Sequence, residues 1–201
     1  MADKRKALQS KPVLKRPIKL NTLQAQRIYH DRFRFVSNSL FSLSVILRVI
    51  GQEDDIDTLE DMILGYFNKA ETELKDSINR YKELIKSQGI QEIPTYSEPL
   101  EATIEVNSPL VFRLINTFQT MDVTIQLIDA LWFSGALRDK QHCAAHGECI
   151  SHMNKFLGRV TNIEKRARNA ARQKGKSEEV SEEAPKVESQ PQEQESNQKV
   201  A

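Results

Sequence analysis

The segment Lys15-Arg-Pro-Ile-Lys-Leu-Asn21 alternates polar and apolar residues, which is the pattern of a short β-strand. In an extended chain, Ile18 and Leu20 point to one side and can pack on a core. The polar residues of the other side are Lys15, Lys19 and Asn21. Pro17 cannot donate to a sheet, so its nitrogen must face away from any partner strand. The segment therefore predicts a strand with one apolar and one cationic face.

Two helical segments follow this strand. The first begins after the capping residue Thr22 and runs to Phe33, and the second runs from Asn38 to Ile50 and is closed by Gly51. Residues 34–37 are expected to form the turn between them. One short strand and two helices of these lengths are typical of a ribbon-helix-helix unit, in which two chains each donate a strand to an antiparallel ribbon that enters the DNA major groove.

The cationic face of the strand fits that role. An isolated two-stranded ribbon is marginally stable, so its apolar face must pack on the helices and its other face is free for bases. Lysine suits the acceptors of guanine and asparagine suits adenine. Amides at the expected start of the second helix could hold a phosphate. The predicted DNA-binding residues are Lys15, Arg16, Lys19, Asn21, Arg27, Arg34, Ser37 and Asn38, with Arg32 as a further phosphate contact. The alternative is a plain edge strand whose lysines keep it soluble.

A second strand–helix–helix pattern begins at Ala102-Thr-Ile-Glu-Val106. Its outward residues would be Thr103 and Glu105, and carboxylates are repelled by phosphates, although glutamate can accept from cytosine. We therefore expect this strand to be structural. Two helices are expected after it, Pro109 to Phe118 and Val123 to Phe133.

The remaining pattern is helical, so the fold class is mainly α. Long amphipathic helices are expected from Ile56 to Ile85 and from Arg138 to Ala170. These helices would form a bundle added to the ribbon-helix-helix unit. The predicted organisation is a flexible basic N-terminus (1–14), the DNA-binding unit (15–52), a helical domain with a short strand at 102–106 (53–170), and a disordered tail (171–201) rich in Glu, Gln, Ser and Lys.

The charge of the chain is segregated. Lys and Arg number 29 and Asp and Glu 28 in 201 residues, yet residues 1–35 carry a net +8 and residues 137–176 a net +7. Two basic blocks in a nearly neutral protein indicate attraction to a polyanion, although basic segments can also be merely solvated. No apolar run approaches a membrane span, no signal segment is present, and two cysteines suit a reducing cytoplasm.

The run from His142 to His152 contains three of the four histidines and both cysteines. On a helix, His142, His146 and Cys149 share a face, and imidazole and thiolate are zinc ligands. However, a structural zinc site draws ligands from separate elements, and the sequence offers no second Cys/His cluster. We expect packing and no cofactor or metal, with a metal- or redox-responsive switch as the alternative. No nucleophile, metalloprotease or phosphate-loop motif is present, so no enzyme and no catalytic residue are predicted.

Three further segments are informative: Ile18-Lys-Leu-Asn-Thr-Leu-Gln-Ala-Gln-Arg-Ile28, Pro99-Leu-Glu-Ala-Thr-Ile-Glu-Val-Asn-Ser-Pro-Leu110, and Phe118-Gln-Thr-Met-Asp122 with Ala130-Leu-Trp-Phe-Ser-Gly-Ala-Leu-Arg138. Together they resemble a protein family of integrating conjugative elements and conjugative plasmids that includes the AcaB transcriptional activator. The resemblance covers about residues 15–165. It implies a dimeric DNA-binding regulator in which Lys15, Lys19 and Asn21 read bases.

The combined prediction is a cytoplasmic, nucleoid- or plasmid-associated homodimer that binds double-stranded promoter DNA and activates conjugative transfer genes. Twofold symmetry would require a pseudo-palindromic site. RNA polymerase is a further candidate partner, and no membrane association is expected. The alternative function is a non-catalytic structural or adaptor protein of the transfer or integration machinery.

Overall fold

Two β-strands and a set of packed helices make up the structure, a computed structural model that describes residues 14–50, 53–106 and 108–184. The strands are β1 (Leu14–Leu20) and β2 (Leu100–Val106). The helices are α1 (Leu23–Ile28), α2 (Arg34–Ile50), α3 (Glu53–Ser87), α4 (Pro109–Phe133), α5 (Asp139–Gln173) and α6 (Ser177–Glu183), with a π-helical turn at Tyr29–Phe33. The predicted flexible N-terminus up to residue 13, the closing Gly51, and the tail beyond residue 184 lie outside the described residues.

The strand predicted at residues 15–21 is confirmed, but its partner is not a second chain. β1 pairs antiparallel with β2 of the same chain, with Pro17 opposite Thr103 at the centre. The expected need for a strand from a symmetry mate was therefore wrong. The loop after α3 returns the chain to the ribbon, so one chain completes both strands.

The two strands are related by an internal sequence repeat. Leu14, Ile18 and Leu20 of β1 correspond to Leu100, Ile104 and Val106 of β2. Each strand also leads into a helix through a hydroxyl cap: Thr22 accepts a hydrogen bond from the Ala25 amide, and Ser108 accepts one from the Val111 amide. The ribbon is thus pseudo-symmetric within a single chain, with a strand–helix unit on each side.

The turn predicted at residues 34–37 is helical. The chain is helical from Leu23 to Ile50, and the π-helical turn takes the place of a break. The spacing of the buried residues explains this continuity. Ile28 and Phe33 are five residues apart, a spacing that the wider π turn accommodates, and the buried residues that follow are three or four apart. The absence of glycine and proline between Leu23 and Ile50 removes any local reason to stop.

The long helices surround one main core. α3 and α5 match the predicted helices closely, whereas α4 is a single helix where a break between Phe118 and Val123 was expected. Its buried residues include Phe118, Met121 and Ile125, so apolar contacts continue across the expected gap. The core also includes Ile18 and Leu20 of β1, which ties the ribbon to the helices. None of the helices among the described residues is long and apolar enough to cross a membrane.

The prediction placed the start of the disordered tail, at residue 171, too early in the chain. α5 continues to Gln173 with Ala171 buried, and the short helix α6 buries Val180 and Ala184. The Arg168 guanidinium donates to the Ala184 carbonyl oxygen at 2.9 Å and to Ser42 Oγ at 3.0 Å. Residues 177–184 therefore dock on α2 and α5, because Val180, Ala184 and the shared arginine compensate for a polar composition.

Candidate nucleic-acid interface

The solvent face of the ribbon carries Lys15 and Lys19, as the alternation of β1 predicts. The same face of β2 carries acidic residues, since Lys15 lies opposite Glu105 and Lys19 opposite Glu101. Lys19 Nζ lies 2.8 Å from a carboxylate oxygen of Glu101, and both side chains remain more than half exposed. The hydrogen bond and positive charge of Lys19 lower the pKa of Glu101. Four formal charges on this face therefore sum to zero, which the sequence of β1 alone did not indicate.

Arg16 lies on the other side of β1. Its guanidinium carbon is 4.9 Å from the centroid of the Phe112 ring, a cation–π contact that links the strand to α4. Arg16 is exposed nonetheless, so it can still approach a phosphate from the edge of the ribbon.

Asn21 is committed to the structure rather than free. Its backbone amide donates to both carboxylate oxygens of Asp122, at 3.1 and 3.0 Å, and its side-chain nitrogen lies 3.4 Å from Asp122 Oδ2. The next residue, Thr22, donates to the same carboxylate from its amide and its hydroxyl, at 2.8 Å each. Asp122 is only 1% exposed. It therefore holds the junction between β1 and α1 and was missed in the sequence, although a carboxylate among the apolar positions of α4 was a usable signal.

The remaining predicted contacts differ in their exposure. Arg27 on α1 and Arg34 at the start of α2 are exposed, as a phosphate contact requires. Ser37 and Asn38 are half-buried inside the continuous helix, so the expected helix start at these residues was wrong. Their amides lie beyond the first turn and are not the free donors that bind an anion at a helix N-terminus.

A second cationic surface lies on the later part of α5. Its exposed cations are Lys155, Arg159, Lys165, Arg166 and Arg172, here called the α5 stripe. The acidic residue within this part of the helix, Glu164, is buried and ion-paired with Arg168. The first two cations of the stripe line a cavity of about 130 Å³ between α3 and α5, together with Lys69, Glu73 and His152. The basic block of residues 137–176 thus places five exposed cations on the later part of one helix.

Two histidines of the Cys/His run of α5 contact a carboxylate of α4. His142 Nε2 and His146 Nε2 each lie 2.8 Å from Asp129 Oδ1 on α4. Burial would raise the pKa of Asp129, but hydrogen bonds from His146, His142 and Tyr96 outweigh it and lower that pKa. The ligand atoms of Asp129, His142 and His146 lie within 4.8 Å of one another, so these three residues could hold a metal ion.

Cys149 does not belong to that group. It is buried in the main core, and burial raises the pKa of its thiol to about 12. His142, His146 and Cys149 lie on one helix as predicted, but the candidate metal ligands are Asp129, His142 and His146. The carboxylate supplies the second structural element that the sequence lacked when only Cys and His were considered.

Comparison with known proteins places the chain in a family. The structure is similar to the crystal structure of selenomethionine-containing AcaB from uropathogenic E. coli, with a TM-score of 0.87 and 40% sequence identity over 90% of this chain and 94% of that chain. The chain belongs to the AcaB family. The family predicted from the three sequence segments is thereby confirmed.

No family model matches the chain, and no curated protein matches it. The similarity to AcaB covers almost the full length of both chains. For this AcaB-family protein, the predicted mainly helical fold class is confirmed, and β1 and β2 of the described residues form a two-stranded antiparallel sheet within one chain.

Proposed function

We propose that this AcaB-family protein is a non-catalytic, sequence-specific double-stranded DNA-binding regulator that activates conjugative transfer genes. The observation that carries the proposal is the similarity to AcaB over nearly the whole chain. The family resemblance implies a regulator of transfer genes, and the two basic blocks supply the charge that such a protein needs.

Phosphate contacts are assigned mainly to the α5 stripe, with Arg27 and Arg34 as further contacts. These side chains are exposed, whereas Arg168 is occupied by Glu164, Ser42 and Ala184. Exposed lysine and arginine bind phosphates without regard to sequence and give affinity that falls steeply with salt. The α5 stripe therefore accounts for affinity rather than specificity.

Base reading is assigned to the solvent face of the ribbon. Lys19 and Glu101 are held side by side, and a lysine can donate to guanine while a glutamate accepts from cytosine. A neighbouring Lys–Glu pair is therefore complementary to the major-groove edge of a G·C pair. The cost is that Glu101 and Glu105 repel phosphates, so this face needs the positive stripe to bring it to DNA.

Homodimerisation is part of the proposal, although a second chain is not needed to complete the ribbon. One chain already holds both strands of its ribbon, so a dimer would present two complete ribbons to a pseudo-palindromic site. An activator would also contact RNA polymerase. Light scattering at the concentration used for DNA binding gives the oligomeric state directly.

The DNA-binding test uses fluorescence anisotropy with a promoter duplex from the protein's own element and a scrambled duplex. Lys15→Ala with Lys19→Ala should remove the preference for the promoter, because each side chain that reads a base discriminates by about 1–3 kcal/mol. Lys165→Ala with Arg166→Ala should weaken binding to both duplexes. The slope of log affinity against log salt should then become shallower by about 0.9 for each phosphate that the variant no longer neutralises.

The matched control is Lys75→Ala with Lys82→Ala, which removes two exposed lysines from the acidic helix α3. It should leave both affinities unchanged. Wild-type protein that binds neither duplex at low salt would end the proposal. Asn21 is unsuitable as a reader variant, because its replacement would also disturb the hydrogen bond to Asp122.

The alternative function is a non-catalytic structural or adaptor protein of the transfer or integration machinery. The charge-balanced solvent face of the ribbon favours it, since base-reading surfaces are usually cationic. This alternative predicts equal, weak binding to promoter and scrambled DNA, and no effect of the ribbon variants on that binding.

A further inference from the structure

Three side chains from two helices converge beside the turn between α4 and α5. Asp129 lies near the end of α4, and Gly135, in the left-handed region with φ of 78°, allows the chain to reverse before α5 begins. His142 and His146 are four residues apart on α5, so their rings lie on one face of the helix, with centroids 4.1 Å apart. Both Nε2 atoms point at the same oxygen, Asp129 Oδ1.

We propose that Asp129, His142 and His146 form a binding site for a divalent transition-metal ion of the zinc type. Two imidazole nitrogens and one carboxylate oxygen are a ligand set that zinc uses, with water in the fourth position. This proposal is independent of DNA binding. It differs from the sequence expectation, which considered Cys149 and found no ligand on a second element.

Two of the three pairs of ligand atoms require only a small adjustment, and the two histidine nitrogens lie within 4.8 Å of each other. Zinc bonds of about 2.0–2.2 Å in a tetrahedron separate neighbouring ligand atoms by about 3.3 Å. Each histidine nitrogen now lies 2.8 Å from Asp129 Oδ1, so the pairs must open by about half an ångström. The proton of each imidazole then resides on Nδ1, which leaves the Nε2 lone pair for the ion.

The surrounding residues orient the three ligands. The Tyr96 hydroxyl donates to Asp129 Oδ2 at 2.7 Å, which leaves Oδ1 for the ion. The Gln24 amide lies 3.2 Å from His146 Nδ1, and its oxygen can accept the Nδ1 proton after rotation of the amide. The Trp132 ring stacks on His142 with an angle of 25° between planes. Such outer contacts are typical of metal-binding histidines, and here they involve separate parts of the chain.

The site is sheltered but open to entry. The side chains of Asp129, His142 and His146 are between 11% and 17% exposed. Through Gln24, an ion here would also fix the start of α1, next to the strand that carries Lys19.

The test uses the full chain, purified without a histidine tag and stripped with a chelator. Titration with Zn²⁺ is followed by calorimetry, and Co²⁺ is used as a spectroscopic probe. We expect one ion per chain, visible absorption of a four- or five-coordinate Co²⁺ site, and no thiolate charge-transfer band because Cys149 is not a ligand. Asp129→Asn and His146→Ala should abolish this binding.

Two further variants test whether binding depends on the three proposed ligands and on the residue that contacts His146. His152→Ala removes a histidine from the same helix outside the group, and it should bind as the wild type does. Gln24→Ala should weaken binding by about 10- to 100-fold if it orients His146. Wild-type protein that binds no Zn²⁺ at 100-fold excess over chain would overturn the proposal and leave a hydrogen-bonded cluster only. Equal binding by wild type and Asp129→Asn would overturn it as well, whatever the stability of the other variants.

Discussion

Replacing Asp122 with asparagine should destabilise the whole chain, because this carboxylate joins β1 and α1 to α4. It accepts hydrogen bonds from the amides of Asn21 and Thr22, from the Thr22 hydroxyl, and from Gln126 Nε2 at 2.7 Å. In Asp122→Asn one oxygen becomes an amide nitrogen, so a donor would face these donors. With the nitrogen in the place of Oδ2, the hydrogen bond from Gln126 Nε2 is broken and the other three become bonds to a neutral acceptor. Bonds to a charged group contribute about 1.5–3 kcal/mol each, and neutral ones about 0.5–1.5 kcal/mol.

The expected loss of unfolding free energy is about 3–5 kcal/mol, a large part of the stability of a typical domain. For a chain of this length that corresponds to a decrease in Tm of roughly 6–20 °C. Urea unfolding followed by far-UV circular dichroism measures it, with Asp76→Asn as the control because Asp76 is exposed on α3. A loss below about 1 kcal/mol for Asp122→Asn would contradict the reasoning, since one such bond alone exceeds it. If that variant does not fold, Gln126→Ala should still lower the free energy of unfolding by about 1.5–3 kcal/mol, because it removes one hydrogen bond to the carboxylate.

Three further predictions concern other parts of the structure. Iodoacetamide at pH 8 should modify Cys143 of the native chain rapidly and Cys149 only after denaturation. Cys143 is exposed, whereas burial raises the pKa of the Cys149 thiol to about 12. Mass spectrometry measures both modification rates, and equal rates would contradict this prediction. Val180→Ser should lower the free energy of unfolding by about 1–3 kcal/mol, because Val180 lies on the buried face of α6. Glu178→Ser should have little effect, because Glu178 is exposed on the same helix. Because the pKa of Asp129 is lowered in the fold, its contribution to stability is present above the unfolded value of 3.8 and is lost as the pH falls through the folded value. Asp129→Asn should therefore flatten the acid side of the stability–pH curve below about pH 4, and an unchanged acid side would refute that assignment.

Local patterns in the sequence were enough for much of the fold. Alternation in residues 15–21 identified β1 and the burial of Ile18 and Leu20, because side chains of a strand alternate regardless of its partner. Apolar residues at intervals of three or four identified α3 and α5, because that spacing places them on one side of a helix. The boundary predictions failed where local signals were weak: the chain remains helical across residues 34–37 and between Phe118 and Val123.

The candidate sites depended on contacts between distant residues. The lysines of β1 were recognisable as an exposed cationic row, but their neutralisation by Glu101 and Glu105 requires knowledge that β2 is the partner strand. Asp122 and Asp129 likewise acquire their roles only when α4 packs beside α1 and α5.

The sequence by itself determined which segments become strand or helix and which of their faces are apolar, since those properties depend on residues only a few positions apart. Tertiary structure alone decided that one chain completes its own ribbon, that Lys19 meets Glu101, and that two histidines meet Asp129. These contacts join residues far apart in the chain, and their geometry is set by how the helices pack around one core rather than by any local pattern.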